Sequence, residues 1–242
     1  MKVLVILLFF STSLFPRTAE EIIREMDSKI YGTSSVGQFQ ITVHRSRFTR
    51  TILLNSWEDR NVDSSFMKIL SPKKDSGITF LKIKNNLWQY IPKIGKEIKI
   101  EGSLMQDSWM GSDFSNDDLV KSSSIVNDYT HTLLPSDKDD EYKLELKPKP
   151  TAPVTWSRLV FRVTKKDLLP VEQLFYDHKN RLSRKMEYSE YKTIDGKLIP
   201  TFMKMSTINN DKVTSVTDMR YLKIKFNAKI PASKFSKANL RR

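Results

Sequence analysis

The hydrophobic pattern of the chain begins with a helical period. A capping box spans residues 18–21, and the apolar residues that follow it fall on one helix face: Ile22, Ile23, Met26 and Ile30. This pattern predicts one amphipathic helix that ends at Gly32. Because one face of the helix is too apolar to remain in water, we expect it to pack on the concave side of the rest of the fold.

From Gln38 onward the period changes to two, which is typical of strands with one apolar face. The alternation begins with Phe39, Ile41 and Val43. It predicts further strands near residues 50–58, 64–70, 78–84, 86–92, 96–101, 125–134, 140–147, 156–164, 170–177, 183–192, 198–207 and 212–226. Short turns connect most of them, so neighbouring strands should be antiparallel. About a dozen such strands cannot lie flat, and the predicted fold is mainly β with a few helices, its sheet curled into a barrel or half-barrel.

One segment, residues 103–124, interrupts the strands and mixes large apolar side chains with polar residues that start helices. Ser115, with Asp118 three residues later, predicts the beginning of a short helix. The segment cannot leave all its large apolar side chains in water: Met105, Trp109, Met110, Phe114 and Leu119. We therefore expect it to fold over the mouth of the sheet, and we call it the lid.

The first residues of the chain are typical of a secretory signal. Lys2 precedes an apolar run over residues 3–10, and small polar residues follow at 11–13. The run is shorter than the ~20 apolar residues that a membrane-spanning helix needs. We therefore predict a signal peptide over residues 1–17, whose cleavage position the sequence does not fix, and one exported domain over residues 18–242.

The chain has no cysteine and carries a formal net charge of +13. Without cysteine no disulfide can form and no lipid anchor can be attached, so we expect a soluble exported protein. The positive charge favours acidic surfaces such as anionic lipid headgroups. Nucleic acid is not an expected partner, because export and the scatter of Lys and Arg argue against it. Residues 220–242 hold eight basic residues and no acidic one, which fits either a membrane-facing patch or a solvated edge strand and tail.

The sequence contains no recognisable catalytic motif. It lacks G-x-S-x-G, H-E-x-x-H, a phosphate-binding loop and the dinucleotide-binding glycine pattern, so we expect neither an enzyme nor a cofactor. The histidines lie far apart in sequence, which disfavours a zinc site: His44, His131 and His178. The acidic residues of the lid lack the order of a calcium loop, and helix capping explains part of them: Asp107, Asp113, Asp117 and Asp118. No metal site is predicted.

Adaptable apolar side chains are frequent for so strand-rich a chain. Nine methionines are present, among them Met67, Met105, Met110, Met186, Met203 and Met205. Several aromatic residues stand near or in the lid: Trp88, Tyr90, Trp109 and Phe114. Flexible methionines and flat rings suit a cavity for acyl chains of variable shape, but ordinary core packing produces the same pattern. Periodicity alone leaves both interpretations open.

Several stretches of the chain together resemble one known family: Leu87–Pro92, Ser103–Leu119, Asp195–Pro200, Met203 with Met205, and Ile230–Leu240. The most specific of them contains the run Trp-Met-Gly-Ser-Asp-Phe-Ser, which begins at Trp109. These motifs are similar to those of the outer-membrane lipoprotein-sorting proteins related to the carrier LolA. The resemblance covers nearly all of the chain after residue 17.

The resemblance implies an unclosed antiparallel β-barrel, with helices across its concave face and an apolar cavity between them. It implies a soluble periplasmic carrier that takes lipoprotein acyl chains, or phospholipid, from an inner-membrane transporter to an outer-membrane acceptor, with contact to an anionic membrane surface. The expected cavity and lid residues are Phe39, Ile41, Val43, Met67, Ile69, Trp88, Tyr90, Met105, Trp109, Met110, Phe114, Leu119, Met203 and Met205. A strand arginine closes the lid in this family, and the candidates here are Arg45 and Arg47.

Other functions remain open on the sequence. The same half-barrel could sense lipid or lipoprotein and regulate a partner, or serve as an accessory of another export system. An outer-membrane β-barrel is disfavoured, since the predicted strands carry lysine on both faces and the chain lacks a terminal aromatic residue. An esterase is disfavoured because no catalytic triad can be recognised.

Overall fold

The computed structural model describes residues 17–121 and 125–241. The predicted signal peptide lies outside these residues except for Arg17, and so do three residues at the end of the predicted lid. Within the described ranges, no helix is both long and apolar enough to cross a bilayer.

The first element is helix α1, Ala19–Tyr31, which confirms the predicted amphipathic helix. The backbone N–H of Glu21 donates to Thr18 Oγ1 at 3.2 Å, and the backbone N–H of Thr18 donates to Glu21 Oε2 at 2.8 Å. This reciprocal pair is the predicted capping box. The helix ends at Gly32, whose φ of 65° is a left-handed value that glycine adopts without a Cβ clash.

In the described residues, thirteen strands form one antiparallel sheet. They are β1 Ser34–Arg45, β2 Phe48–Asp59, β3 Ser64–Ser71, β4 Thr79–Ile83, β5 Asn86–Ile91, β6 Lys96–Ile100, β7 Tyr129–Leu134, β8 Glu141–Pro148, β9 Arg158–Thr164, β10 Pro170–Tyr176, β11 Leu182–Ile194, β12 Lys197–Asn209 and β13 Lys212–Phe226. Their order across the sheet is β6-β5-β4-β3-β2-β1-β13-β12-β11-β10-β9-β8-β7. The strands at the two edges, β6 and β7, do not pair with each other, so the sheet is the predicted unclosed half-barrel.

The predicted strands are all present, and two of them begin four residues away from the position that the pattern suggested. β1 begins before Gln38, because Ser34 and Ser35 already pair with β2 although neither is apolar. β7 begins at Tyr129, since residues 125–127 form a turn. Backbone pairing, and not hydrophobic alternation, decides where both strands start.

Two apolar clusters cover the concave face of the sheet. Helix α1 packs over the half that contains β7–β12, and its buried residues join strand residues in one cluster: Ile22, Ile23, Met26, Ile30, Leu144, Leu146, Phe161 and Met205. The lid covers the other half, where a second cluster includes Ile41, Val43, Ile52, Leu54, Ile69, Phe80 and Trp109. Each fully buried side chain of this size stabilises the fold by about 1.5–3 kcal/mol, before the entropy cost of ordering it.

The lid runs between β6 and β7. It consists of 3-10 turns at Gly102–Gln106 and Trp109–Gly111, followed by helix α2, Asn116–Lys121. The backbone N–H of Ser115 donates to Asp118 Oδ2 at 2.7 Å, and the backbone N–H of Asp118 donates to Ser115 Oγ at 3.3 Å. These bonds confirm the predicted helix start.

The end of the chain covers part of the opposite, convex face. Helix α3, Lys237–Leu240, packs on β4, and Leu240 is fully buried with Phe66 and Leu81. The interpretation of residues 220–242 as a solvated edge strand and tail is therefore wrong. β13 lies in the middle of the sheet because it pairs with β1, and the residues after it return to pack on the fold.

Candidate functional site

A cavity of about 280 Å³ lies between the concave face of the sheet, α1 and the lid. A single water molecule needs at least about 10–15 Å³ of such volume, so this space is far larger than a packing defect. The hollow has room for hydrocarbon groups in addition to the side chains that line it.

The wall of the cavity is mostly apolar. Of the residues predicted from the sequence, those that line it are Phe39, Ile41, Met67, Trp109, Phe114, Leu119, Met203 and Met205. Several further residues line the cavity that the sequence analysis did not predict there, including Met26, Met186 and Met219. Met219 could have been found, because its register opposite Ile41 and Met203 places it on the same face.

Four predicted residues lie beside the cavity and not among the residues that line it. Val43 and Ile69 belong to the buried cluster under the lid, and Met105 and Met110 of the lid pack against that cluster. Trp109 lies in the same cluster, with its ring 5.6 Å from the Phe80 ring. Val43, Ile69, Met105 and Met110 thus pack next to the residues that line the cavity.

The placement of Trp88 and Tyr90 in the cavity is wrong. Both pack on the convex face, against the cluster of Phe66, Leu81 and Leu240. Trp88 is opposite Leu81 in the register of β4 and β5, and side chains of directly paired residues share one face of a sheet. The cavity side of β5 is formed by the alternate residues, of which Leu87 is buried under the lid.

Arg45, near the end of β1, holds the lid against the sheet. Its guanidinium donates to Asp113 Oδ2 at 2.9 Å and to the Gly111 carbonyl oxygen at 2.7 Å. Arg50 adds a hydrogen bond to the Met110 carbonyl oxygen at 3.2 Å. Arg47, the other predicted candidate, is exposed in the turn between β1 and β2. The geometry thus brings Arg45 to the lid and leaves Arg47 outside it.

Asp113 is the lid residue that receives most of these contacts, and its side chain is only 2% exposed. Besides Arg45, its carboxylate accepts hydrogen bonds from the hydroxyl groups of Thr207, Thr217 and Ser215 on β12 and β13. Burial alone would raise the pKa of Asp113. The hydrogen bonds outweigh burial and hold the pKa below its ordinary value. An ionised Asp113 therefore joins the lid to three central strands.

A second ion pair closes the far side of the lid. Arg184 on β11 donates to Asp118 Oδ2 of α2 at 2.7 Å, and the Thr155 hydroxyl donates to Asp117 Oδ2 at 2.6 Å. Both carboxylates belong to residues that line the cavity. The sequence analysis explained these aspartates by helix capping, and the structure adds contacts to Arg184 of β11 and to Thr155 of the segment before β9.

One end of the cavity is polar, which the sequence analysis did not predict. Glu58 on β2 lies there with Ser56 and Ser65, and three tyrosines line the same space: Tyr31, Tyr188 and Tyr221. Burial raises the pKa of Glu58, and the nearby charges of Arg60 and Lys82 oppose that effect only in part. Burial also raises the pKa of each of the three phenols, so they stay protonated and able to donate.

The described residues contain no group of three or more His, Asp or Glu side chains that could hold a metal ion. His44 instead bonds Asp218 at 2.9 Å, and His131 bonds the Ile125 carbonyl oxygen at 2.8 Å. The chemistry that this cavity offers is binding, through a mostly apolar wall with polar groups around Glu58 and at the lid residues Asp117 and Asp118.

Comparison with protein families gives a match over most of the chain. A family model described as "-like: Uncharacterized protein" matches residues 61–242. The chain belongs to this family. No curated protein matches this chain.

Solved structures show which fold this family member shares. A DUF1329 family protein from Desulfovibrio piger is 23% identical, with a TM-score of 0.83 over 92% of this chain and 97% of the other. A domain from Vibrio parahaemolyticus, named for outer membrane lipoprotein sorting, is 20% identical, with a TM-score of 0.81 over 93% and 98%. A LolA superfamily protein from Nitrosomonas europaea is 22% identical, with a TM-score of 0.77 over 92% and 99%.

These likenesses establish the fold. The resemblance inferred from the sequence is confirmed at that level, because the family member has the half-barrel of LolA-like proteins over nearly its whole length.

Proposed function

We propose that the protein is a periplasmic carrier that binds acyl chains of lipoproteins or lipids in its cavity and moves them between the inner and outer membranes. The observation that carries the proposal is the cavity itself. It is lined by methionines and aromatic rings, and it lies under a lid that is held by polar contacts. The fold shared with LolA-like structures supports the same role.

The need for a closed cavity follows from the cost of exposing hydrocarbon. At about 0.8 kcal/mol per methylene, a chain of about sixteen carbons costs on the order of 12 kcal/mol to leave in water. A membrane shelters the chain as well as the protein does, so loading gains little free energy by itself. We therefore propose an inner-membrane transporter that loads the cavity and an outer-membrane acceptor that empties it.

The lid is the part that must move. Its inner face carries Trp109 and Phe114, which line the cavity, while polar contacts to Arg45 and Arg184 attach it to the sheet. Polar groups that separate when the lid moves can exchange their partners for water. We propose that the lid opens as chains enter and that the clusters behind it stay packed.

An acyl-chain fluorophore tests this proposal directly. Trp109→Asp and Phe114→Asp place a charge on the cavity wall, and each should weaken binding by at least about 10-fold, because an unpaired charge in an apolar site is costly. Leu104→Asp is the matched control, since Leu104 belongs to the lid but is 45% exposed. Equal binding by all three variants and the wild-type protein would contradict the proposal.

A deletion strain separates a carrier from a sensor on the same fold. Loss of a carrier should leave lipoproteins in the inner membrane, whereas loss of a sensor should change a transcriptional response and leave sorting intact. Mass spectrometry of the lipid or lipoprotein that purifies with the native protein would then identify the cargo.

A further inference from the structure

The polar end of the cavity differs from a wall built only to hold hydrocarbon. Glu58 lies in β2 between Ser35 of β1 and Ser65 of β3, and its side chain lines the cavity. Charged side chains are rarely buried unless paired. In the described part of the chain, the Glu58 carboxylate has no hydrogen-bond or ion-pair partner.

The positive charges closest to Glu58 already bind other carboxylates. Arg60 forms an ion pair with Asp27 at 2.8 Å, and Lys82 forms one with Asp63 at 2.7 Å. The Arg60 guanidinium also lies over the Tyr31 ring, 5.1 Å from its centre. Glu58 is therefore the carboxylate that these two ion pairs leave without a partner at this end of the cavity.

Phenol groups surround the same space. Tyr221 packs edge-on against Phe39, with ring centres 4.7 Å apart, and it lines the same cavity as Tyr31 and Glu58. In the described residues, the hydroxyls of Tyr31 and Tyr221 have no hydrogen-bond partner, whereas the Tyr188 hydroxyl donates to Gln173 Oε1 at 3.0 Å.

The absence of a side chain at Gly37 of β1 leaves space for the Phe39 ring beside the polar end. A Cβ atom at Gly37 would lie 2.8 Å from the Phe39 ring, so only glycine allows that ring to lie over β1 in this position. Gly37 is opposite Ser56 in the register of β1 and β2. Gly37 thus lets the Phe39 ring lie close to β1 beside the residues of the polar end.

We propose that this polar end binds the hydrogen-bond-donating head of an amphiphile, a hydroxyl or an amine, while the hydrocarbon lies against Met203, Met205 and Trp109. An amine head supplies the ion-pair partner that Glu58 lacks, so it favours the ionised carboxylate against the effect of burial on the pKa of Glu58. A phosphate or a fatty-acid carboxylate brings a second negative charge and gains no such pairing. This inference rests on the proposed carrier function and adds the class of ligand that the cavity selects.

Competition between matched amphiphiles tests the inference. Lauryl amine, lauryl alcohol and laurate, each below its micelle concentration, compete with an acyl-chain fluorophore for the purified protein at neutral pH. The amine and the alcohol should bind at least about 10-fold more tightly than laurate, because a hydrogen bond to a charged group contributes about 1.5–3 kcal/mol.

Two variants test whether Glu58 and Tyr221 cause the preference for the amine and the alcohol. Glu58→Gln should weaken the amine about 10-fold without weakening laurate, and Tyr221→Phe should weaken the alcohol. Glu187→Gln is the control, since Glu187 is exposed, lies next to Tyr188 in β11 and pairs with Lys185 on the other face. Circular dichroism and a melting curve establish that each variant is folded, and Tyr221→Phe alone suffices if Glu58→Gln does not fold.

The outcomes separate the two proposals. If the fluorophore binds but the three competitors displace it equally, or if Glu58→Gln and Tyr221→Phe change nothing, the polar site is refuted and the carrier proposal stands. If the fluorophore does not bind at all, both proposals fail.

Discussion

At the scale of single residues, Arg45 and Asp113 decide how the lid is held. The Asp113 carboxylate accepts from one guanidinium and three hydroxyl groups, which is close to the full capacity of its two oxygens. Charge-assisted bonds of this kind are about twice as strong as neutral ones. Asp113 is thus the most densely bonded residue among those that attach the lid to the sheet.

Arg45→Ala should open the lid more often than Arg47→Ala does. The first variant removes the bonds to Asp113 and to the Gly111 carbonyl, whereas Arg47 is exposed in a turn. We expect hydrogen exchange of the amides at 109–120 to rise at least about 10-fold in Arg45→Ala, which corresponds to about 1.4 kcal/mol. Equal exchange in the two variants would show that Arg45 does not hold the lid.

Asp113→Asn should destabilise the protein in a way that depends on pH. Because the folded-state pKa of Asp113 is lowered, its ionised form stabilises the fold above the ordinary aspartate pKa of about 3.9, and this contribution is lost as the pH falls through the folded-state value. In urea unfolding at pH 7 we expect a loss of about 2–3 kcal/mol.

The loss should shrink as the pH falls below about 3.9, because protonation of Asp113 in the unfolded state then removes part of the stability that the ionised group contributes. Asp107→Asn is the control, since Asp107 is an exposed residue of the same lid. A difference between wild type and Asp113→Asn that stays constant from pH 7 to pH 3 would show that the ionised carboxylate is not the cause.

At the scale of elements, the short helix α3 explains why Trp88 and Tyr90 are not in the cavity. It covers β3 and β4 on the convex side, with Leu240 buried against Phe66 and the Thr79 hydroxyl donating to the Leu240 carbonyl oxygen. The sheet therefore has apolar partners on both faces in this region.

Leu240→Ala should destabilise the fold without changing what the cavity binds. Removing a buried leucine side chain costs about 2–5 kcal/mol, and we expect the lower part of this range because α3 is the last element of the chain. Leu104→Ala, at an exposed position, should change the unfolding free energy by no more than about 0.5 kcal/mol. A loss of acyl-probe binding in folded Leu240→Ala would contradict the separation of the two faces.

At the scale of the whole molecule, the half-barrel leaves a hollow because its concave face is covered by two separate elements. Helix α1 seals the half with β7–β12 and the lid seals the half with β1–β6, and the cavity lies where their clusters meet. Neither cover fills the space between them. The fold is thus built around a volume that its own side chains do not occupy.

A bound amphiphile should therefore stabilise the whole protein. At a free ligand concentration about 100 times the Kd, binding contributes about 2.7 kcal/mol, which should raise the melting temperature by about 5–10 °C. Differential scanning fluorimetry with lauryl alcohol checks this, and Trp109→Asp should abolish the shift. A shift that persists in that variant would mean that the ligand binds elsewhere.

The hydrophobic alternation predicted most strands and the helix because each depends on local spacing. It did not show which face of a strand is concave. In β5, Leu87, Trp88 and Tyr90 supply large apolar side chains to both faces, so the sequence of this strand has no distinctly apolar side. The assignment of Trp88 and Tyr90 failed for that reason, whereas Met203 and Met205 flank the exposed Lys204, which marks their side of β12 as the apolar one.

The sequence alone determined the helix cap, the antiparallel meander, the lid segment and the LolA-like resemblance, because these depend on residues close to one another in the chain. Tertiary structure alone decided that Arg45 and not Arg47 reaches the lid, that Asp113 meets three hydroxyls from β12 and β13, and that Glu58 lies among three tyrosines. These contacts join residues that lie dozens of positions or more apart. Their distances depend on the curvature and register of the sheet, which local spacing does not encode.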